Sequence, residues 1–224
     1  MIAENIARVK ATLPQGVKLV AVSKIKPVED IMEAYNAGQR LFGENYATEL
    51  RDKHAVLPAD IQWHFIGHLQ AKQIKYYIDF VSMIHGVDTL EHLEDIDRAA
   101  AKAGRVVDVL LQCHIAREET KFGFSPEELM GMQMSAASLQ NVRVCGIMGM
   151  ATNTADQEQV RHEFHELKHI FDTLQSGPFA GHPEFKELSM GMSHDYMIAV
   201  EEGSTIVRLG TSIFGERDYS KLKR

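Results

Sequence analysis

Three stretches of the chain carry side chains able to act on a small molecule. The first is Lys24, which follows the apolar run Val20-Ala21-Val22-Ser23. A lysine amine is a nucleophile only when neutral. Partial burial at a strand end lowers its pKa and lets it form a Schiff base with an aldehyde. A strand-end lysine whose ammonium simply reaches water fits the same position. The second stretch is Arg208 with Gly210-Thr211-Ser212 after it. A glycine there lets backbone N–H groups approach an anion and the two hydroxyls can donate further, the usual make-up of a phosphate cradle. Ordinary loop chemistry is the alternative for these residues. The third is Ser189-Met190-Gly191-Met192-Ser193, a small-residue turn that would lie beside the second.

The elements around these residues alternate in type. Val17–Ser23, Leu41–Gly43, Trp63–Gly67, Phe80–Val87, Val106–His114, Val142–Met150, Leu188–Met192 and Thr205–Leu209 read as buried strands. Amphipathic stretches separate them, such as a helix from Val28 to Ala37 stopped by Gly38 and one from Leu90 to Ala103 stopped by Gly104. Strand and helix in strict alternation imply parallel strands joined by crossovers. Eight such units predict a closed (β/α)8 TIM-like barrel, with an open doubly wound sheet as the alternative. In a barrel, chemistry sits where strands end and βα loops begin, and Lys24, Ser193 and Gly210 all fall there.

A chain of 224 residues with no linker or composition break suits one barrel domain spanning 1–224. It is 45% apolar and 25% charged, so it can bury a core, and disorder is not expected. A net charge of −7 without a dense Lys/Arg face argues against a nucleic-acid partner; the basic tail Lys221 to Arg224 reads as solvated. No apolar run approaches roughly 20 residues, and the start Met1-Ile2-Ala3-Glu4-Asn5 lacks a leader pattern, so no membrane contact and a cytoplasmic location are expected. Cys113 and Cys145 lie in apolar runs and read as buried thiols.

His165-Glu166-Leu167-Lys168-His169 matches the H-E-x-x-H zinc pattern. The helix expected to carry it, Ala155 to Gln175, has its apolar stripe at Val160, Phe164, Leu167, Phe171 and Leu174, which leaves His162, His165 and His169 on the opposite, solvent face. Two histidines without a third ligand do not complete a zinc site, so no metal is expected. His54, His85 and His182 carry no partner pattern and read as surface residues, and Glu118 to Gly123 as a structural loop.

Several strings in order, AVSKIKP (21–27), LFGENYATEL (41–50), WHFIGHLQ (63–70), GIMGM (146–150), LSMGMSHD (188–195) and GSTIVRLGTSIFGER (203–217), resemble the YggS/PROSC-type pyridoxal 5′-phosphate (PLP) homeostasis family. The resemblance implies a fold similar to the barrel domain of alanine racemase, with Lys24 as the Schiff-base lysine. It implies phosphate binding by Ser193, Gly210 and Thr211, Arg208 facing the pyridine nitrogen, and Asn45 and His64 lining the pocket. Met192 and Met148 would pack on the ring or simply fill core. The family's Asn-Lys pair after Leu69-Gln70 is replaced here by Ala71-Lys72-Gln73-Ile74-Lys75, which alters a contact at the barrel mouth. A guanidinium only donates hydrogen bonds, so Arg208 would keep the pyridine nitrogen unprotonated and the ring a poor electron sink. Racemases with this arrangement draw a second base from another domain, and the sequence ends soon after Gly215. The expectation is therefore a monomeric PLP carrier acting in cofactor homeostasis or delivery to PLP-dependent apo-enzymes, and not a fast catalyst. A slow PLP-dependent racemase, or a barrel binding some other phosphate compound, are the alternatives.

Overall fold

A computed structural model describes residues 1–116, 122–132, 139–218 and 220. Eight parallel strands, β1 (Lys18–Val22), β2 (Leu41–Glu44), β3 (Gln62–Phe65), β4 (Met83–Val87), β5 (Val107–Gln112), β6 (Val142–Met148), β7 (Glu187–Ser189) and β8 (Ile206–Leu209), pair in chain order, and β8 closes onto β1. The closed barrel decides against the open sheet. Around it lie α1 (Ile2–Thr12), α2 (Val28–Asn36), α3 (Ala47–His54), α4 (Leu90–Lys102), α5 (Pro126–Met130), α6 (Gln157–Ser176), α7 (Tyr196–Glu201) and α8 (Thr211–Phe214). A 3₁₀ stretch, Ala71–Tyr76, takes the place of a full helix between β3 and β4.

The predicted strands differ from the observed ones mainly at their ends. The run from Phe80 begins as strand only at Met83, because Phe80 and Val81 donate their N–H groups to Tyr77 O at 3.2 and 2.9 Å and finish a turn instead. Helix α1, not predicted, packs on α2 and α8, and Asn5 Nδ2 ties it to Ile213 O at 2.9 Å.

Strand alternation divides the apolar residues into two layers. One lies between strands and helices and includes Phe42, Trp63, Phe65, Leu167 and Phe164. The other, Val20, Met83, Leu110, Cys145, Met148 and Ile206, plugs the barrel interior. Both cysteines are buried and free as expected, and burial pushes both thiols up to about 12. Helix α6 buries Val160, Phe164, Leu167, Phe171 and Leu174, and leaves His162, His165 and His169 exposed, as the stripe predicted. His162 and His165 face the carboxylates of Glu166 and Glu202 at 3.2 and 3.1 Å.

A bulge in β6 sets which residues reach the interior. Val109 pairs with Val144 but Leu110 with Gly146, so Cys145 is the extra residue, and the alternation shifts to bring both Cys145 and Met148 inward. Gly146 makes the bulge possible: its φ is 151°, and a Cβ there would lie 1.8 Å from Glu187 O. Gly146→Ala must force β6 and β7 apart at this point. We expect it to cost about 3 kcal/mol or more, as strain and overpacking add. Urea unfolding monitored by far-UV circular dichroism checks this; a midpoint equal to wild type would show that the bulge relaxes freely.

Candidate functional site

The C-terminal ends of β1, β7 and β8 meet at one side of the barrel mouth. Lys24 lies just past β1, half-buried, on the alternation that sends Val20 inward. Burial lowers its amine below the ordinary lysine range, and the Arg217 guanidinium pushes the same way, while Glu44 and Glu49 oppose. More of the amine is therefore neutral at a given pH than for a surface lysine, which is what nucleophilic attack on a carbonyl needs.

Beside it the backbone after β8 turns into α8 and offers a cluster of donors. Ser193 Oγ accepts N–H bonds from Gly210 at 3.2 Å and Ser212 at 3.3 Å, and Ser212 Oγ donates back to Ser193 O at 3.4 Å. Thr211 is half-buried between them. Ser193 is held by its own turn, in which Met192 N–H donates to Asp195 Oδ1 at 2.6 Å. The chain then folds back so that the Arg217 guanidinium covers this turn: a Cβ on Gly210 would lie 1.9 Å from Arg217 Nη2 and 3.3 Å from Val22 O. Arg217 Nε is buried without a hydrogen-bond partner. One guanidinium donor without an acceptor, beside N–H groups held only by a serine hydroxyl and packed closely because residue 210 is glycine, suits an anion with several oxygens.

Below the mouth a polar chain crosses the barrel interior. Arg208, 5% exposed, donates from Nη1 to Ser189 Oγ at 2.6 Å and from Nη2 to Gly149 O at 3.3 Å. Because a guanidinium only donates, Ser189 Oγ accepts from Arg208, and it also lies 3.0 Å from His85 Nδ1. His85 Nε2 lies 2.9 Å from His64 Nδ1, so one of the two rings carries the hydrogen between them. Both rings stay neutral. Burial, helped by the Lys18 charge, pushes His64 down to about 3; burial, His64 and Arg208 hold His85 well below its ordinary value. Burial also draws Arg208 down to about 10, against the pull of Asp195.

The expected site residues are distributed as follows. Lys24, Ser193, Gly210 and Thr211 share the mouth, with Arg208 beneath. Asn45 follows β2, half-buried, with its Oδ1 buried and unpartnered. His64 is 4% exposed, and its Nδ1 is engaged by His85. Met192 is half-buried in the turn before α7. Met148 belongs to the interior plug and so fills core. The reading of His85 as a surface residue is wrong: it is fully buried, because it shares with Met83 the inward face of β4. His54 and His182 are partly buried; burial lowers His54, whose ring stacks on Phe80 at 3.6 Å. The loop reading at Glu118 to Gly123 falls largely on residues 117–121, and the basic tail on 221–224, both outside the described residues. Among the described residues, no three His, Cys, Asp or Glu side chains gather as a metal site, and no helix is long and apolar enough to cross a membrane.

Sequence reasoning missed two further groups. Arg217 was quoted only as part of a string, since nothing local says that a residue past α8 returns to Gly210. Glu44, Glu49 and Lys53, which bond the backbone around Lys24 from behind, look from sequence like a solvated face.

A barrel with an amine and an anion cradle at its mouth matches, over residues 1–218, the family model described as the alanine racemase N-terminal domain. Alanine racemase of Clostridium difficile, 17% identical, superposes with a TM-score of 0.72, over 96% of this chain and 55% of its own, which shows the shared fold. Sequence narrows the class further. The pyridoxal phosphate homeostasis protein of Aquifex aeolicus is 41% identical over 90% of this chain and 88% of its own length, and that of Vibrio alginolyticus 38% over 92% and 89%. The chain belongs to the pyridoxal phosphate homeostasis protein family. PipY of Synechococcus elongatus, 36% identical and covering 96% of this chain and 100% of its own, superposes with a TM-score of 0.91 in its structure without PLP and 0.87 in its structure with PLP bound.

The neutral histidine pair gives a signed pH effect. His64 falls from 6.5 to about 3 on folding, so the unfolded chain binds the extra proton between these values, and the stability that His64 contributes is lost as pH falls through that window. Whatever His64→Gln costs at pH 7.5, that cost should shrink by about 1.4 kcal/mol per pH unit from roughly pH 6 down to 4.5. Parallel urea titrations of both proteins check it, and a cost independent of pH would show that His64 is not held neutral.

Proposed function

We propose that this protein binds PLP covalently through a Schiff base on Lys24, and that it holds and hands on the cofactor without fast turnover. The observation that carries the reading is the juxtaposition of a half-buried amine, shifted toward its neutral form, with an anion cradle whose Arg217 donor has no partner. Family membership and the PLP-bound structure of PipY support the same ligand.

The residues divide the work by chemistry. Lys24 would supply the amine that condenses with the aldehyde, with loss of one water. Gly210 and Thr211 with Ser193 and Arg217 would hold the phosphate, with the Gly210 and Ser212 N–H groups, now on Ser193 Oγ, as further donors. Asn45, through its unpartnered Oδ1, and His64 line the pocket, and Met192 packs near the ring. Arg208 would face the pyridine nitrogen as a donor, its guanidinium charged at neutral pH although burial draws it down to about 10. Bound PLP supplies an electrophilic aldehyde and, when its ring nitrogen is protonated, an electron sink; Arg208 preserves the first and weakens the second. Carbanion chemistry that relies on the sink is disfavoured, and a racemase with this arrangement draws on a second base, whereas a carrier needs only the reversible bond. On this reading the chain is a cytoplasmic monomer, its partners are PLP-dependent apo-enzymes, and neither nucleic acid nor membrane is involved.

Titration with PLP followed by borohydride reduction and peptide mapping tests the reading. We expect one equivalent trapped on Lys24, none in Lys24→Ala, and retention weakened about tenfold or more in Arg217→Gln, as for a lost charged hydrogen bond. Pyridoxal without the phosphate should be trapped far less. Trapping that is equal without Lys24 would sink the assignment, and sustained racemisation of alanine would replace the carrier with an enzyme.

A further inference from the structure

The backbone on either side of Lys24 is held from outside the barrel. Strand alternation turns Ser23 and Glu44 away from the interior, into the layer beneath α3. There Ser23 Oγ donates to Glu44 Oε1 at 2.6 Å, and Lys53 Nζ donates to Ser23 O, Glu44 Oε1 and Glu49 Oε1, each at 2.7 Å. Glu44 is fully buried and Lys53 nearly so. On the other side of Lys24, Ile25 N–H donates to the same Glu49 Oε1 at 2.7 Å. Ile25 has φ of 62°, the left-handed region, and among the described residues no other non-glycine residue has a positive φ. A β-branched residue does not take that conformation unless something holds it there. The candidate holder is Glu49, whose one oxygen receives both the Ile25 N–H and the Lys53 ammonium.

We propose that Glu49 is a positioning residue for Lys24: by accepting the Ile25 N–H while anchored on Lys53 and, through it, Glu44, it forces the turn that aims the Lys24 amine into the barrel mouth. The proposal rests on reading Lys24 as the attachment point, and takes no part of the pocket lining as evidence. Ser23 and Ile25 are the two immediate neighbours of Lys24, and both are bonded into one cluster, so the amine has little backbone freedom left. The strain at Ile25 follows from this. Lys26 N–H closes the turn on Ser23 O at 3.0 Å; without the Glu49 acceptor Ile25 would leave the left-handed region, the side chain of Lys24 would swing toward solvent, and the amine would behave as an ordinary surface lysine.

Two measurements on the intact chain separate this from a merely structural role. One is borohydride trapping of PLP at Lys24. The other needs no cofactor: reductive methylation of the PLP-free protein with formaldehyde, mapped by mass spectrometry over a pH range, with the exposed Lys102 as internal reference. In wild type, Lys24 should react with a pH midpoint below that of Lys102. Glu49→Ala should cut PLP trapping by about tenfold or more, the population change that release of a left-handed residue implies. Its Lys24 methylation profile should move onto that of Lys102. Glu49→Gln, which keeps an acceptor oxygen for Ile25 N–H, should stay within about threefold of wild type, the usual context spread for a retained neutral hydrogen bond. Ile25→Gly placed in the Glu49→Ala background should restore trapping and profile at least in part, because glycine adopts this φ without strain. A Glu49→Ala protein that traps PLP and methylates as wild type does, or an Ile25→Gly change that deepens the loss, would overturn the proposal. If wild type traps no PLP at all, the attachment reading fails by itself, and the methylation profiles still decide whether Glu49 positions Lys24.

Discussion

The short bond from Arg208 to Ser189 sets the polarity of the barrel interior. A guanidinium sealed inside a barrel cannot lose its proton at ordinary pH and can only donate, so its neighbours must accept. Ser189 accepts, and His85 and His64 continue the chain from it. One obligatory cation thus stands at the end of three neutral groups on β3, β4 and β7. The cation stays beneath the mouth, and its remaining donors can be met only by acceptors.

The barrel supplies the frame for this. All strands run parallel, so every C-terminal end opens on one face, and residues far apart in sequence become neighbours there. Pairing of β1 with β8 sets Val20 beside Arg208 and Ala21 beside Leu209, which brings Lys24 and Gly210 to the same rim. The apolar plug of Val20, Leu110, Met148 and Ile206 closes the barrel interior. The Cys145–Gly146 bulge is part of that closure, because without it Met148 would point at the helices.

The charged groups occupy two separate layers with different tasks. Inside lie Arg208, bonded to Ser189 Oγ and Gly149 O, and Arg217, packed over Gly210. Outside, Glu44, Glu49 and Lys53 answer to the backbone. Burial pushes Glu44 up to about 7, against the attraction of Lys53, and an ionised group there is tolerable only while Lys53 remains in place. Lys24 stands between the layers and feels both, the arginine lowering its pKa and the two glutamates raising it.

Much of this was legible from the chain itself. Apolar runs alternating with amphipathic stretches determine strands, helices and their parallel order, because side-chain periodicity is a local property. Lys24, Ser193 and Gly210 could be placed at the mouth because each directly follows such a run, with Thr211 next in line. The solvent face of α6, with His162, His165 and His169 on it, was readable for the same reason. His85 was within reach, since it shares parity with Met83 in an apolar run, but parity does not say which face is the interior until the barrel closes. Arg217, the Glu44–Glu49–Lys53 cluster and the left-handed Ile25 were decided by tertiary structure alone. Each depends on contacts between segments whose separation in sequence leaves no periodic trace: the return of the chain after α8 onto Gly210, and the seating of α3 against the outer face of β1 and β2. Periodicity reports which residues avoid water, whereas the partner that a buried charge finds is settled only when the strands have closed into a ring.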